Sequence, residues 1–162
     1  MASMNYSPKI VILPYSMTGN TLAVADLICH LCRDDAAEMH PNPDPKAVRD
    51  LIRMADILMI GTYSWGNGEI PEGFSPILEA VKSHAEPGLI TGVFGTGDSF
   101  YPEFCGAVDR LAEDLHVPCF VAERLKIELM PQPSDIERCR TFIHTLTSHF
   151  AIATPTQGGI RS

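Results

Sequence analysis

Pro14-Tyr15-Ser16-Met17-Thr18-Gly19-Asn20-Thr21 follows the apolar run Ile10 to Leu13 and precedes a helical pattern that starts at Leu22. The order is strand, hydroxyl-rich turn, helix start. The hydroxyls of Ser16, Thr18 and Thr21, the Asn20 amide, and the backbone N–H groups around Met17 and Gly19 converge where the dipole of the coming helix is positive. Such a convergence cradles a phosphate. No Lys or Arg lies within it, whereas a triphosphate-binding loop of the form G-x-x-x-x-G-K-[ST] uses its Lys to reach the outer phosphates. A terminal phosphomonoester held by neutral donors fits better than a nucleoside triphosphate. An ordinary capped helix N-terminus would carry similar residues, so the loops of the later strands have to decide between the two.

On either side of the turn, Lys9 to Leu13 reads as a buried strand, and Leu22, Ala25, Leu27, Ile28, Cys29 and Cys32 as the apolar side of a helix ending near Arg33. Asp34-Asp35 reads as a turn, Ala37 to Met39 as a short strand, and Asp44 as the cap of a helix from Pro45 to about Met54. Ile57 to Ile60 is a third strand, followed by a loop from Gly61 to Gly68. A helix over 73–84 comes next, then a fourth strand from Leu89 to Phe94, broken at Gly95-Thr96-Gly97-Asp98. Glu103 to Leu115 reads as a helix. The last strand is expected in two parts, Cys119 to Ala122 and Leu125 to Leu129, with Ser134 capping a final helix to about Phe150. Five apolar strands alternating with five helical patterns predict one α/β domain, a three-layer sandwich. Its parallel sheet has the order 2-1-3-4-5 with helices on both faces. The domain is expected over 9–150, with an N-terminal extension at 1–8 and a tail at 151–162. Ligands of such sheets bind beyond the carboxyl ends of the strands at the switch point, here beside strands 1 and 3.

The 162 residues suit a single domain, and 45% hydrophobic with 20% charged residues is a globular composition. The N-terminus lacks the basic start and apolar core of a signal peptide, and no apolar run reaches the length of a membrane span. The five cysteines are odd in number and without framework spacing, so a cytoplasmic, reducing compartment is the expectation. Residues 61–105 hold Glu69, Glu72, Glu79, Glu86, Asp98 and Glu103 against Lys82 alone, contributing -5 of the net -8. This acidic surface argues against nucleic acid and anionic membrane as partners and steers toward basic proteins.

The loops after strands 1, 3 and 4 should share one edge of the sheet. The second, Thr62-Tyr63-Ser64-Trp65-Gly66-Asn67-Gly68, holds the single Trp of the chain, and the third runs from Gly95 through Gly97, Asp98 and Tyr101 to Cys105. A large aromatic on each of two loops beside a phosphate cradle suits a flat polycyclic ligand bearing a phosphate on a short chain, each stack adding ~0.5 to 1.5 kcal/mol beyond burial.

In these three segments the chain resembles the flavodoxins, particularly the short-chain bacterial ones. The resemblance rests on Ser-Met-Thr-Gly-Asn-Thr (16–21), Gly-Thr-Tyr-Ser-Trp-Gly-Asn-Gly (61–68) and Gly-Thr-Gly-Asp-Ser-Phe-Tyr-Pro-Glu-Phe-Cys-Gly-Ala-Val-Asp (95–109), in family order and separation, and covers roughly 8–150. It implies non-covalent FMN, one-electron transfer at low potential through a stabilised neutral semiquinone, and no substrate turnover. By the same resemblance Ser16, Met17, Thr18, Gly19, Asn20 and Thr21 hold the phosphate. Thr62, Tyr63, Ser64, Trp65, Gly66, Asn67 and Gly68, with Gly97, Asp98, Tyr101, Glu103, Phe104 and Cys105, hold the rest. Trp65 and Tyr101 would flank the isoalloxazine, the Gly66 carbonyl would meet flavin N5, and the backbones of Asp98, Glu103 and Cys105 would bond the pyrimidine edge. Pro14-Tyr15 replaces the more usual Tyr-Gly, and Asn67 stands where many members have Asp.

The implied partners are a ferredoxin/flavodoxin-NADP reductase and acceptor redox enzymes, met through the acidic face by a monomer. Asp98, Glu69, Glu72 and Glu103, with no cation evident beside them, are expected to lower the second reduction potential. Two alternatives are a flavodoxin-like activator of ribonucleotide reductase and an FMN-dependent quinone reductase. A receiver domain would need acidic residues where this chain has Pro14-Tyr15 and Gly61-Thr62. Cys29-His30-Leu31-Cys32 lies near a helix end, where a redox dithiol gains nothing from the dipole, and reads as core packing. The six histidines show no metal-ligand spacing.

Overall fold

Seven consecutive residues, Lys9–Tyr15, form the first strand, β1, and from Ile10 to Pro14 they are buried on both faces. Only a central parallel strand between two helical layers requires such a run. The computed structural model describes residues 7–32 and 36–153. Along them β1 is followed by helix α1 (Asn20–Leu31), β2 (Ala36–Met39), α2 (Pro45–Arg53), β3 (Ile57–Tyr63), α3 (Ser75–His84), β4 (Ile90–Gly97), α4 (Gly106–Leu115), β5 (Phe120–Glu128) and α5 (Ile136–Ala153). All pairings are parallel, in the expected order β2-β1-β3-β4-β5.

Alternation along each strand feeds two cores. Ile10, Ile12, Ile57, Met59 and Phe94 pack with Val24, Ile28, Phe142 and Leu146 from α1 and α5. Val11, Leu13, Leu58, Ile60 and Val93 face Val48, Val81, Val108 and Leu111 from α2, α3 and α4. Each fully buried aliphatic side chain contributes ~1.5 to 3 kcal/mol. Asp44 caps α2 as expected, its carboxylate accepting from the Lys46 N–H at 3.0 Å, with Pro45 in the first turn.

Several boundaries differ from those expected of the sequence. The fourth strand does not break at Gly95 but runs to Gly97, because Gly95 and Thr96 pair with Thr62 and Tyr63, and pairing overrides the poor strand propensity of glycine. The last strand is one strand rather than two. Thr91 pairs with Val121 and Gly92 with Glu123, so Ala122 is an extra residue that bends the strand without ending it. Helix α4 begins at Gly106, not Glu103. A short 3-10 turn, Pro133–Asp135, precedes α5, and Gln132 rather than Ser134 caps it. Helix α5 continues through 151–153, residues expected in the tail. The Asp34-Asp35 turn and the end of the first helix at Arg33 lie outside the described residues, as do 1–6 and 154–162. Among the described residues no helix is long and apolar enough to cross a membrane.

Candidate functional site

Three loops leave the carboxyl ends of β1, β3 and β4 side by side. The first, 16–19, reaches α1 through Gly19, the helix cap, whose φ of 100° is left-handed. Only glycine adopts that conformation at little cost. Ser16 organises the loop internally: its Oγ accepts from the N–H of Gly19 at 3.2 Å and of Leu22 at 3.3 Å. The N–H groups of Met17, Thr18, Asn20 and Thr21 have no acceptor among the described residues. No carboxylate stands in the first turn of α1, so the helix dipole is not offset there. The donor set suits an anion. Thr21 is placed differently from the other hydroxyls. It is buried beneath the loop, its Oγ1 2.8 Å from that of Thr96, and the pair consumes one of its two protons and leaves the other to offer.

The second loop is a tight hairpin. Trp65 and Glu69 exchange both backbone hydrogen bonds, at 2.8 and 2.7 Å, around Gly66, Asn67 and Gly68. Positive φ falls at Gly66 (53°) and Gly68 (85°), not at Asn67. Gly68 is buried against Gly106, where the hairpin meets the start of α4 backbone to backbone. A Cβ on Gly106 would lie 2.8 Å from the Gly68 Cα, and one on Gly68 2.9 Å from the Gly106 Cα. The Ser64 Oγ strengthens this junction by accepting from the Ala107 N–H at 3.2 Å.

The third loop turns at Asp98, whose carboxylate accepts from the Phe100 N–H at 2.9 Å and whose carbonyl accepts from Tyr101. It closes at Cys105, which caps α4 with a φ of 51°. The Cys105 thiol points inward toward the Gly95 and Ile127 carbonyls, and burial pushes it up to about 12. It stays a neutral packing group, buried at 1% exposure. The N–H groups of Asp98, Glu103 and Cys105 have no acceptor among the described residues.

Between the loops lies a cleft of ≈ 510 Å³, within the usual range for cofactor sites. Trp65 and Tyr101 stand on it from different loops, joined by Thr18, Tyr63, Ser64 and Gly66, with Asp98, Glu103 and Cys105 completing the wall. Tyr63 stacks on Tyr15, with ring centroids 5.9 Å apart and 17° between planes. Burial, and then the neighbouring Tyr15, raises its phenol above the ordinary value. A planar ligand between aromatic walls, with its polar edge on the 98–105 backbone and a phosphate at 16–21, fits what is present.

Of the remaining residues singled out by sequence, Met17 and Asn67 are exposed beside the cleft, and Asn20 opens α1. Thr62 is buried in β3, its hydroxyl donating to the Tyr63 carbonyl at 3.0 Å. Gly97 lies under Cys105, where a Cβ would meet the Cys105 nitrogen at 2.9 Å. Phe104 faces the other side of the turn, lining clefts shared with Lys126. The expectation of no cation near the acidic residues is corrected: Arg110, one helical turn inside α4, pairs with Glu103 at 3.2 Å. Sequence reasoning also missed Asn42, which no motif marks, and assigned no site role to Thr96 or Gly106, although both lie within the 95–109 segment. Among the described residues no cluster could hold a metal ion.

The family model described as flavodoxin matches residues 12–142. A curated relative, probable flavodoxin 1 of Bacillus subtilis, is 36% identical over 141 residues, covering 83% of this chain and 87% of its own. Among solved structures, the flavodoxin of Streptococcus pneumoniae TIGR4 superposes with a TM-score of 0.76 at 32% identity, covering 86% of this chain and 98% of that one. Oxidised flavodoxin 2 of Bacillus cereus does so at 0.77 and 32%, covering 87% and 99%. The chain belongs to the flavodoxin family, in its short-chain form, and is an FMN-binding electron carrier rather than an enzyme with a substrate of its own.

Proposed function

We propose that this chain is a low-potential shuttle that accepts single electrons from a ferredoxin/flavodoxin-NADP reductase and delivers them to acceptor redox enzymes, as a cytoplasmic monomer. The observation that carries the reading is one cleft lined from three loops, by Thr18, by Trp65 and Gly66, and by Asp98, Tyr101, Glu103 and Cys105. It supports a phosphate held by the unpaired N–H groups at 16–21, a ring between Trp65 and Tyr101, and a polar edge on the 98–105 backbone. FMN bound there supplies the one-electron chemistry. The chain binds it, orients it and leaves one edge reachable.

The Gly66 peptide tunes the one-electron step. Bound FMN would offer N5 as an acceptor when oxidised and as a donor after taking up one electron and one proton. A Gly66 carbonyl turned toward that edge would accept from the protonated form alone, and Gly66 tolerates the change of orientation. Glu69 and Glu72 are exposed and line a second cleft, ≈ 440 Å³, that shares Tyr63 and Trp65 with the first. Their charge beside the exposed Trp65 supports docking of basic partners at this edge.

Three experiments test the proposal. Reductive titration of the FMN-loaded protein should accumulate a blue neutral semiquinone, and an NADPH-dependent flavoprotein reductase should reduce it rapidly. Substantial turnover of quinone by nicotinamide without any added reductase would overturn the carrier reading in favour of a quinone reductase.

A further inference from the structure

We infer that Asn42 is a positioning residue for the phosphate loop, acting as a side-chain extension of the β-ladder that holds Ser16 in place. The inference rests on the assignment of 16–21 to the FMN phosphate. Strand β2 ends at Met39, yet the chain beyond it continues to pair with β1: the His40 N–H donates to the Ile12 carbonyl at 2.9 Å and the Asn42 N–H to the Pro14 carbonyl at 2.8 Å. The next position to be met in this register is Ser16, one residue beyond β1, and there the side chain takes over. The Asn42 Oδ1 accepts from the Ser16 N–H at 2.8 Å, and its Nδ2 donates to the Ser16 carbonyl at 2.9 Å. A carboxamide has the donor and acceptor of a peptide unit, so it pairs with Ser16 as another strand residue would.

The bracket is anchored independently of the loop it holds. Asn42 stands at φ 41°, which Asn tolerates better than other non-glycine residues. Pro41, Pro43 and Pro45 flank it, and each restricts the chain. Asp44 caps α2 immediately beyond. On the other side, Ser16 transmits the constraint: its hydroxyl holds Gly19 and Leu22, setting where the free N–H groups of Met17, Thr18, Asn20 and Thr21 point. Asn42 therefore orders the anion donors before the ligand arrives, which lowers the entropy lost on binding.

The test compares FMN with riboflavin, which lacks the phosphate, by fluorescence titration of apoprotein prepared from the loaded protein. Asn42→Gly keeps the positive φ and removes the amide. It should weaken FMN about tenfold, the equivalent of about 1.4 kcal/mol, and leave riboflavin within about twofold, so that the ratio of the two affinities falls. Asn42→Asp keeps the acceptor for the Ser16 N–H and loses only the donor. At high salt, where its charge is screened, it should fall between the parent and Asn42→Gly. Equal weakening of both ligands would show a merely structural role and overturn the inference, as would an unchanged ratio. If the parent itself binds FMN and riboflavin equally, the assignment of 16–21 to the phosphate fails, and the inference fails with it. A parent that prefers FMN while Asn42→Gly keeps that preference refutes the role of Asn42 alone.

Discussion

Gly106→Ala tests whether the junction between hairpin and α4 sets the width of the cleft proposed to hold FMN. The added Cβ would lie 2.8 Å from the Gly68 Cα, 3.1 Å from its carbonyl oxygen and 3.3 Å from the Glu103 Cβ. Ordinary contact begins near 3.4 Å, so about 0.6 Å must be found between two backbones with no flexible side chain to yield. Overpacking of this kind costs ~1 to 3 kcal/mol. The hairpin is the exposed partner and should shift, carrying Trp65 and Gly66 with it and stretching the 3.2 Å bond from Ala107 to Ser64. If the whole cost falls on the bound state, the dissociation constant for FMN rises about 5- to 140-fold. Quenching of FMN fluorescence on titration into apoprotein gives the constant, and urea unfolding of the apoprotein gives the stability. Gly88→Ala is the control, because Gly88 has a φ of 85° with nothing within 4 Å of a Cβ and lies in the loop before β4, at the opposite end of the sheet. It should cost ~1 to 2 kcal/mol of stability through backbone strain and leave FMN affinity at the parental value. Parental affinity in Gly106→Ala, or parallel loss of affinity in both variants, would rule out the junction as the determinant of cleft width.

Gly66→Val should largely abolish the blue semiquinone in protein that remains loaded. Its Cβ would meet only the movable Glu69 carboxylate, at 2.9 Å, so the effect comes from a β-branched residue resisting the change of peptide orientation that glycine accepts; an undiminished radical yield would reject the peptide-turning account. Electron transfer from a basic reductase should slow as salt rises from low ionic strength. Charge reversal at the exposed Glu69 or Glu72 should matter more than at Glu38, which pairs with Lys9, or Asp135, which pairs with Arg138; a uniform response would place docking elsewhere. Alkaline pH should destabilise the fold. Burial raises Cys105 from 9.0 to about 12 and Cys139 to about 11, so the unfolded chain loses these protons first. Stability that is complete below pH 9 is lost progressively as pH climbs through that window. Urea midpoints that stay flat between neutral pH and about pH 11 would contradict this.

The sheet order, the alternation of layers and the three loops were legible in the amino-acid sequence, because each rests on local pattern. Ile10 to Leu13 and Ile57 to Ile60 can only be central parallel strands, and Gly19 between a strand and an apolar helix can only be a turn into a helix N-terminus. Strand ends were less legible where pairing partners, not composition, decide them: Gly95 and Thr96 stay in β4 because Thr62 and Tyr63 lie alongside, and Ala122 is absorbed as a bulge. How the loops hold one another emerges only in the folded molecule. Asn42 reaches Ser16 across 26 positions of chain, Thr21 reaches Thr96 across 75, and Ala107 reaches Ser64 across 43. The Arg110 side chain reaches Glu103, seven residues earlier, because the turn at Cys105 folds the chain back. None of these contacts leaves a periodicity or a motif. A hydrogen bond between distant segments constrains one side chain at each end, and that side chain's identity acquires its meaning only once the sheet has brought the two ends together.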